Sequence, residues 1–302
     1  MNVATHGIVL EIKTRRTVVE VYVNGIPAGL CGQGVRDAFA RPVHELLIDQ
    51  VNELALLVNP GDTPATCEVP GVHAKPAWGA QPLPDPREDD FIKATQGDGP
   101  LVIPEARAAL VLYANGAVSG DGSGTVLLEV VWNAEDRQGT PTTPDFMFPR
   151  WVKAERNLGP MFGPSRWQQA PELTLDDDLQ FDVQCFVEVV QLCLQQGRAD
   201  DILEISRDKY REVAAAYGID AASRADIFRR VLTEESAKDS WLFRTPSEDE
   251  YSLRLCAGKR LIECIGTDWT PLIKGVPDPE SGGFVFPMLI GRAGPSDWLI
   301  LR

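Results

Sequence analysis

The apolar residues of this chain change their spacing twice, and that change constrains the fold more than any other feature of the sequence. In the first 132 residues they recur at every second position. Ile8, Leu10 and Ile12 alternate with Val9, Glu11 and Lys13; Val19, Val21 and Val23 alternate with Glu20 and Tyr22. A period of two places alternate side chains on opposite faces of a strand, so these segments predict half-buried antiparallel strands. Asn24-Gly25 is a dipeptide that tolerates positive φ in a tight hairpin turn, and Pro27 predicts an edge for the strand that follows. Leu54, Leu56 and Val58 form another strand face, and residues 108–113 and 125–132 two more.

From residue 179 the period becomes 3.6. Leu179, Val183, Phe186, Val187, Val190 and Leu194 share one face of a helix; Gln180, Gln184, Glu188, Gln191 and Gln195 fall on its other faces, and Gly197 suits its end. A second helix is predicted over residues 201–217, stopped by Gly218, and a third over 223–235 with Ile227, Phe228, Val231 and Leu232 inward. Beyond residue 250 the period returns to two over 251–255, 260–265, 284–292 and 298–302. Strands first and helices followed by strands afterwards predict two domains, since single cores seldom grow beyond roughly 250–300 residues. The first, residues 1–145, is an all-β sandwich. The second, residues 176–302, is α+β, with three helices on a four-stranded antiparallel sheet. Residues 146–175, rich in aromatic residues and proline, are predicted to connect them. Nine prolines between residues 60 and 104 predict an extended segment laid over the sandwich, with an edge strand near 67–74.

Two resemblances follow from particular stretches. Val21-Tyr22-Val23-Asn24-Gly25, then residues 42–47, then Asn52-Glu53-Leu54-Ala55-Leu56-Leu57-Val58, resemble galactose-binding-like jelly-roll domains, in which a strand ending V-N-G precedes a G-x-N-x-L strand. The likeness covers about 40 residues, and Val51 stands where that pattern has its glycine. It implies a jelly-roll-like fold for the first half and carries no sugar-binding residue across. The element order of the second half is similar to the half-open cone of the NTF2-like superfamily.

Composition narrows the partners. The net charge is −15, and residues 1–145 carry 10 basic and 19 acidic groups while residues 146–302 carry 19 and 25. Both halves are therefore acidic, which disfavours nucleic acid and anionic membranes as partners and leaves open either a basic protein partner or a charge that simply keeps the chain in solution. The sequence has no apolar run of about 20 residues to span a bilayer and no leader-like start, so a cytoplasmic location is expected. The six cysteines form no C-x-x-C pair and are expected to be reduced and mostly buried. Cys185 and Cys193, on one predicted helix, lie about 12 Å apart along its axis, too far for a disulfide.

Chemistry is sparse. The histidines are His6, His44 and His73, so nothing from residue 74 onward can use imidazole, and a Ser-His-Asp or Cys-His centre in the second half is excluded. His44 is expected to be structural. The glycine-rich run 120–124 lacks the Lys-Ser/Thr ending of a phosphate-binding loop and is expected to be a hairpin loop. Asp176, Asp177 and Asp178 are the candidate metal ligands, and equally a helix cap; no cofactor is expected. Arg254 and Glu263, on strands joined by a turn at Gly258, are candidates for an orienting clamp or an acid/base pair, or else a surface ion pair. Trp151, Phe162, Trp167, Trp241 and Trp269 are the candidate ligand or interface aromatics. The reading that follows is a non-catalytic binding or interaction protein for a basic partner. The alternatives are a small-ligand binder or histidine-free enzyme with a pocket in the C-terminal domain, and a carbohydrate-binding module.

Overall fold

The computed structural model describes residues 6–32, 37–60, 64, 104–114, 119, 122–133, 150–160, 165–238, 241–243, 246–247, 250–275, 284–294 and 297–302. The expected covering segment and its strand near 67–74 lie outside these residues, apart from Pro60, Pro64 and Pro104. So do Phe162, Phe146 and Phe148. The backbone divides into two compact units: residues 1–62 with 72–163, and residues 63–71 with 164–302.

Among its described residues the first unit is all-β apart from one 3-10 turn, His44–Leu46. Its strands are β1 (His6–Arg15), β2 (Val19–Val23), β3 (Ile26–Cys31), β4 (Ala38–Pro42), β5 (Val51–Val58), β6 (Glu105–Ala114), β7 (Thr125–Asn133) and β8 (Arg150–Asn157). They form two four-stranded antiparallel sheets, in the orders β4-β1-β6-β7 and β3-β2-β5-β8. Ile8, Leu10 and Ile12 of β1 pair with Leu112, Leu110 and Ala108 of β6, and all but Leu112 are buried. The two-fold alternation thus places one apolar face inward, as read. The β2–β3 turn holds Asn24 at φ 54° and Gly25 at φ 71°, the conformation that Asn-Gly hairpins adopt.

A polar clasp ties this turn to the segment before β5. The Asn24 amide donates to Asn52 Oδ1 (2.9 Å) and to Leu46 O (2.8 Å), while its own oxygen accepts the Glu53 N–H (2.9 Å). Fully buried Asn52 in turn bridges the N–H and C=O of Ile48 (2.9 and 2.8 Å). Every polar atom so satisfied avoids the roughly 1–3 kcal/mol that an orphaned buried group costs. Val51 is exposed; counted back from Asn52 and Leu54 the glycine of the G-x-N-x-L pattern falls at Gln50 rather than Val51, and Gln50 holds the left-handed backbone (φ 74°). His44 is structural: its Nε2 accepts the buried Ile8 N–H at 2.5 Å.

Two expectations fail here. β2 is buried on both faces, not half-buried, and Glu20 is held there by the Tyr22 hydroxyl. Residues 150–157 are not a connector but the strand β8, paired with β5 along its whole length. Their own sequence, Arg-Trp-Val-Lys-Ala-Glu-Arg-Asn, alternates weakly; the partner strand supplies the order.

The second unit carries α1 (Arg166–Gln169), α2 (Asp177–Gln195), α3 (Ala199–Ile205), α4 (Arg207–Tyr217) and α5 (Ala221–Ser236). Its strands are β9 (Tyr251–Cys256), β10 (Leu261–Gly266), β11 (Ile273–Lys274), β12 (Val285–Phe286), β13 (Leu289–Arg292) and β14 (Trp298–Ile300). The four-stranded antiparallel sheet runs β14-β13-β10-β9, and β11 pairs with β12 separately. Leu179, Val183, Val187, Val190 and Leu194 of α2, Ile202 of α3 and Leu232 of α5 pack against Leu253, Leu255, Ile262, Cys264, Ile290 and Ile300 of the sheet. Each such side chain contributes about 1.5–3 kcal/mol when fully buried.

The predicted second helix breaks at Ser206 (φ −113°, ψ 9°) into α3 and α4, and Gly218 ends α4 at φ 63° as expected. The predicted strand over 284–292 breaks at Pro287, whose missing N–H cannot continue a ladder. In α5 only Leu232 is buried. Phe228 is partly covered, and Ile227 and Val231 face outward against expectation.

Candidate functional site

The most unusual surface among the described residues is the outer side of α2. Its inner side follows the predicted stripe. On the opposite side Phe181, Cys185, Val189 and Leu192 recur at i, i+4, i+8 and i+11, a second apolar stripe about 80° wide at 100° per residue. All four are exposed, Phe181 to 67%, Val189 to 54% and Leu192 to 48%. Asp177, Asp178 and Asp182 at its N-terminal end and Glu188 beside its middle rim this stripe; no lysine or arginine occurs between residues 177 and 195, although Asp182 is paired with Arg292 of β13 (2.6 Å). The local reason that α2 forms at all lies partly at its start. Asp176 Oδ1 accepts the Leu179 N–H (2.8 Å), and Asp177 and Asp178 lie in the first turn, where negative charge complements the helix dipole. The sequence reading gave the non-core faces of α2 to its glutamines; Gln191 is in fact buried, and the second stripe, visible in the same spacing, passes unnoticed beside the first.

The candidate metal ligands thus act as cap and first turn. Among the described residues no group of three or more histidine, cysteine, aspartate or glutamate side chains is placed to hold a metal ion.

Arg254 and Glu263 are directly opposite in the β9–β10 hairpin, whose turn holds Ala257, Gly258 and Lys259 at φ 52°, 64° and 66°. Leu253, Leu255, Ile262 and Cys264 point into the helix-covered core, so Arg254 and Glu263 lie on the other side of the sheet. That side is buried too. Ser252 donates to Pro64 O there (2.6 Å), and Arg254 is 3% exposed. Arg254 Nε donates to Glu263 Oε2 at 2.8 Å, and its guanidinium lies over the Trp269 ring, 5.2 Å from the centroid. The fold therefore assembles three of the sequence candidates, Arg254, Glu263 and Trp269, into one cluster. The pair is neither in a cone pocket nor on an open surface.

The remaining aromatics separate. Trp241 is a core residue rather than an interface residue. Its Nε1 donates to Leu194 O (3.0 Å), which closes the α2 C-terminus, and its ring packs edge-on to Phe243 and Phe284 with centroids 4.8 Å apart. Phe286 joins the same core. These rings fill the space between helices and sheet, the core packing that the alternative of a pocket there competes with. The cavity beside α2 at Gln184, Pro246, Tyr251 and Leu272 measures about 10 Å³, room for one water. Trp167 is buried in α1, and Trp151 of β8 is half-buried against Tyr22 (4.8 Å).

Two of the buried thiols are poor nucleophiles. Burial pushes the Cys264 thiol far up, helped by the nearby Glu263 carboxylate, and burial also raises Cys193. Cys31, Cys193, Cys256 and Cys264 are buried thiols and Cys185 an exposed one, and none of these five is in a disulfide.

No protein-family model, curated protein or solved structure matches the chain. No helix among the described residues is long and apolar enough to cross a membrane.

Proposed function

We propose that this chain is a non-catalytic binding protein whose α2 outer face docks a basic, amphipathic segment of a protein partner. The observation that carries the reading is the stripe Phe181–Cys185–Val189–Leu192 with its carboxylate rim. Exposed apolar residues at helical spacing are the side of a helix-in-groove or helix-on-helix contact. Carboxylates around them favour a partner whose apolar anchors are flanked by lysine or arginine. The same carboxylates oppose a second copy of this face, since like charges brought together cost several kcal/mol. The net charge of −15 acts in the same direction at longer range. In this reading the first unit is a β-sandwich of jelly-roll type and the second a separate α+β domain that presents α2.

The test uses two synthetic helices of about 18 residues (~27 Å, near the length of α2), one with leucine and lysine faces and one with glutamate replacing lysine. The lysine peptide is expected to bind and to weaken steadily with added salt. Phe181→Asp/Leu192→Asp is expected to abolish that binding. Equal binding of the two peptides, or unchanged binding by the double variant, would overturn the reading.

A further inference from the structure

A separate feature of the second unit points to a small ligand. A cavity of about 250 Å³ is lined by Arg166, Gln169, Arg207, Asp208, Arg211 and Glu212. Its residues come from α1 and the first turns of α4, far apart in sequence. Their charges do not balance inside it. Glu212 is already committed: Oε1 accepts the Arg166 backbone N–H, and Oε2 accepts Arg302 Nη1 at 2.7 Å. Arg302 is a buried side chain, so Glu212 serves as its counter-ion and not as that of the cavity arginines. Asp208, itself buried, is shared between Arg211 (2.8 Å) and Arg166 (3.7 Å). Arg207 pairs with Glu204, which does not line the cavity, in a solvent-exposed bridge that salt screens. The lining thus carries three guanidinium groups against two carboxylates, one of them shared by Arg166 and Arg211 and the other committed to Arg302, in a chain whose net charge is −15.

Two further polar groups next to these residues lack partners. Arg302, whose Nη1 is paired with Glu212, has its Nε and Nη2 buried with no acceptor among the described residues. Ser206, at the start of α4, makes no capping hydrogen bond, and its hydroxyl is buried with no partner among the described residues. The positive end of the α4 dipole adds the same sign at the cavity.

We propose that this cavity binds a small oxyanion, the phosphate or carboxylate group of a metabolite. Guanidinium forks match both groups with paired N–H donors. Arg207 and Arg211 are exposed and held only by the exposed Glu204 bridge and the shared Asp208 carboxylate, so each can turn onto such a group, and Gln169 supplies an amide in the same lining. The volume suits a ligand of metabolite size. This site is independent of the α2 face, and neither proposal depends on the other.

Thermal unfolding and calorimetric titration of the full chain with inorganic phosphate, pyrophosphate and citrate, each against sodium chloride of equal ionic strength, test it. At about 10 mM, well above the dissociation constant, at least one of the three is expected to raise Tm beyond the chloride control, with saturable binding. Arg207→Ala/Arg211→Ala changes two exposed side chains and is expected to keep the fold, checked by circular dichroism, while weakening that binding at least about tenfold. Saturation by phosphate or pyrophosphate alone assigns a phosphate ligand, and saturation by citrate alone a carboxylate. No shift with any of the three, or equal binding by the double variant, overturns the proposal.

Discussion

β1 and α2 are both amphipathic in sequence, but they dispose of their apolar residues differently. On β1 the inward positions Ile8, Leu10 and Ile12 are buried, and the outward ones are Glu11, Lys13 and Arg15 beside Val9, which is covered within the same unit by the small cluster Ala109, Val111 and Tyr113. Glu11 is held there by the Tyr113 hydroxyl. On α2 the inward face is equally complete, yet the outward face carries Phe181, Cys185, Val189 and Leu192 in place of polar residues. A strand whose outer face is polar needs only its own unit. A helix apolar on both sides has one side more than its own core uses, and that excess is the physical basis of the docking reading.

The comparison can be broken in several ways. The largest effect is expected on the inner side of α2: Leu194→Ala, at a position with no exposure, should cost about 3 kcal/mol in chemical denaturation. A cost below about 1 kcal/mol would mean that this face is not core. Glu263→Ala removes a carboxylate from buried Arg254 and should cost about 3 kcal/mol, much of it recovered in the Arg254→Met/Glu263→Leu double variant. Recovery would mark the pair as structural, whereas no recovery would mark Arg254 as tied to further groups. Asp176→Ala should cost about 1 kcal/mol by uncapping α2, and added calcium or magnesium should leave Tm unchanged before and after the substitution.

Smaller still is a pH effect at α5. The Ser223 backbone N–H, then its hydroxyl, hold Asp220 below the usual carboxylate range. Its folded pKa is depressed, so its contribution is present above the unfolded value and is lost as pH falls through the folded one. The Tm difference between wild type and Asp220→Ala should therefore shrink in acid. The smallest stability effect belongs to the outer face: Phe181→Ala and Leu192→Ala should each stay within about 0.5 kcal/mol. A larger loss would move those side chains into the core account and erase the contrast with β1.

What was legible in the sequence depended on how local its cause was. The β1 alternation, the inner stripe of α2, the Asn24-Gly25 turn and the Gly218 stop are each decided by residues within one element. The same is true of the Arg254–Glu263 register, which a short turn determines. β8 was not legible, because Trp151, Val152 and Lys153 become strand only against Leu57, Leu56 and Ala55 of β5, almost 100 residues earlier. The rotation of α5 was not legible either. Ile227, Phe228, Val231 and Leu232 make a stripe broad enough for two orientations, and packing alone selects Leu232. The arginine cavity joins residues 166, 207 and 211 with buried Arg302, and no spacing in the sequence announces that meeting.

The central claim is that the outer face of α2 is a docking surface for a basic segment. A photo-crosslinking amino acid at position 189, with position 227 on α5 as an exposed apolar control, tests it most directly in native lysate at low and high salt. The account predicts a crosslink at 189 and not at 227, to a lysine- or arginine-rich amphipathic peptide, lost at high salt and in Phe181→Asp/Leu192→Asp. Crosslinking to an acidic or neutral peptide, or a yield unchanged by salt and by the double variant, would contradict it.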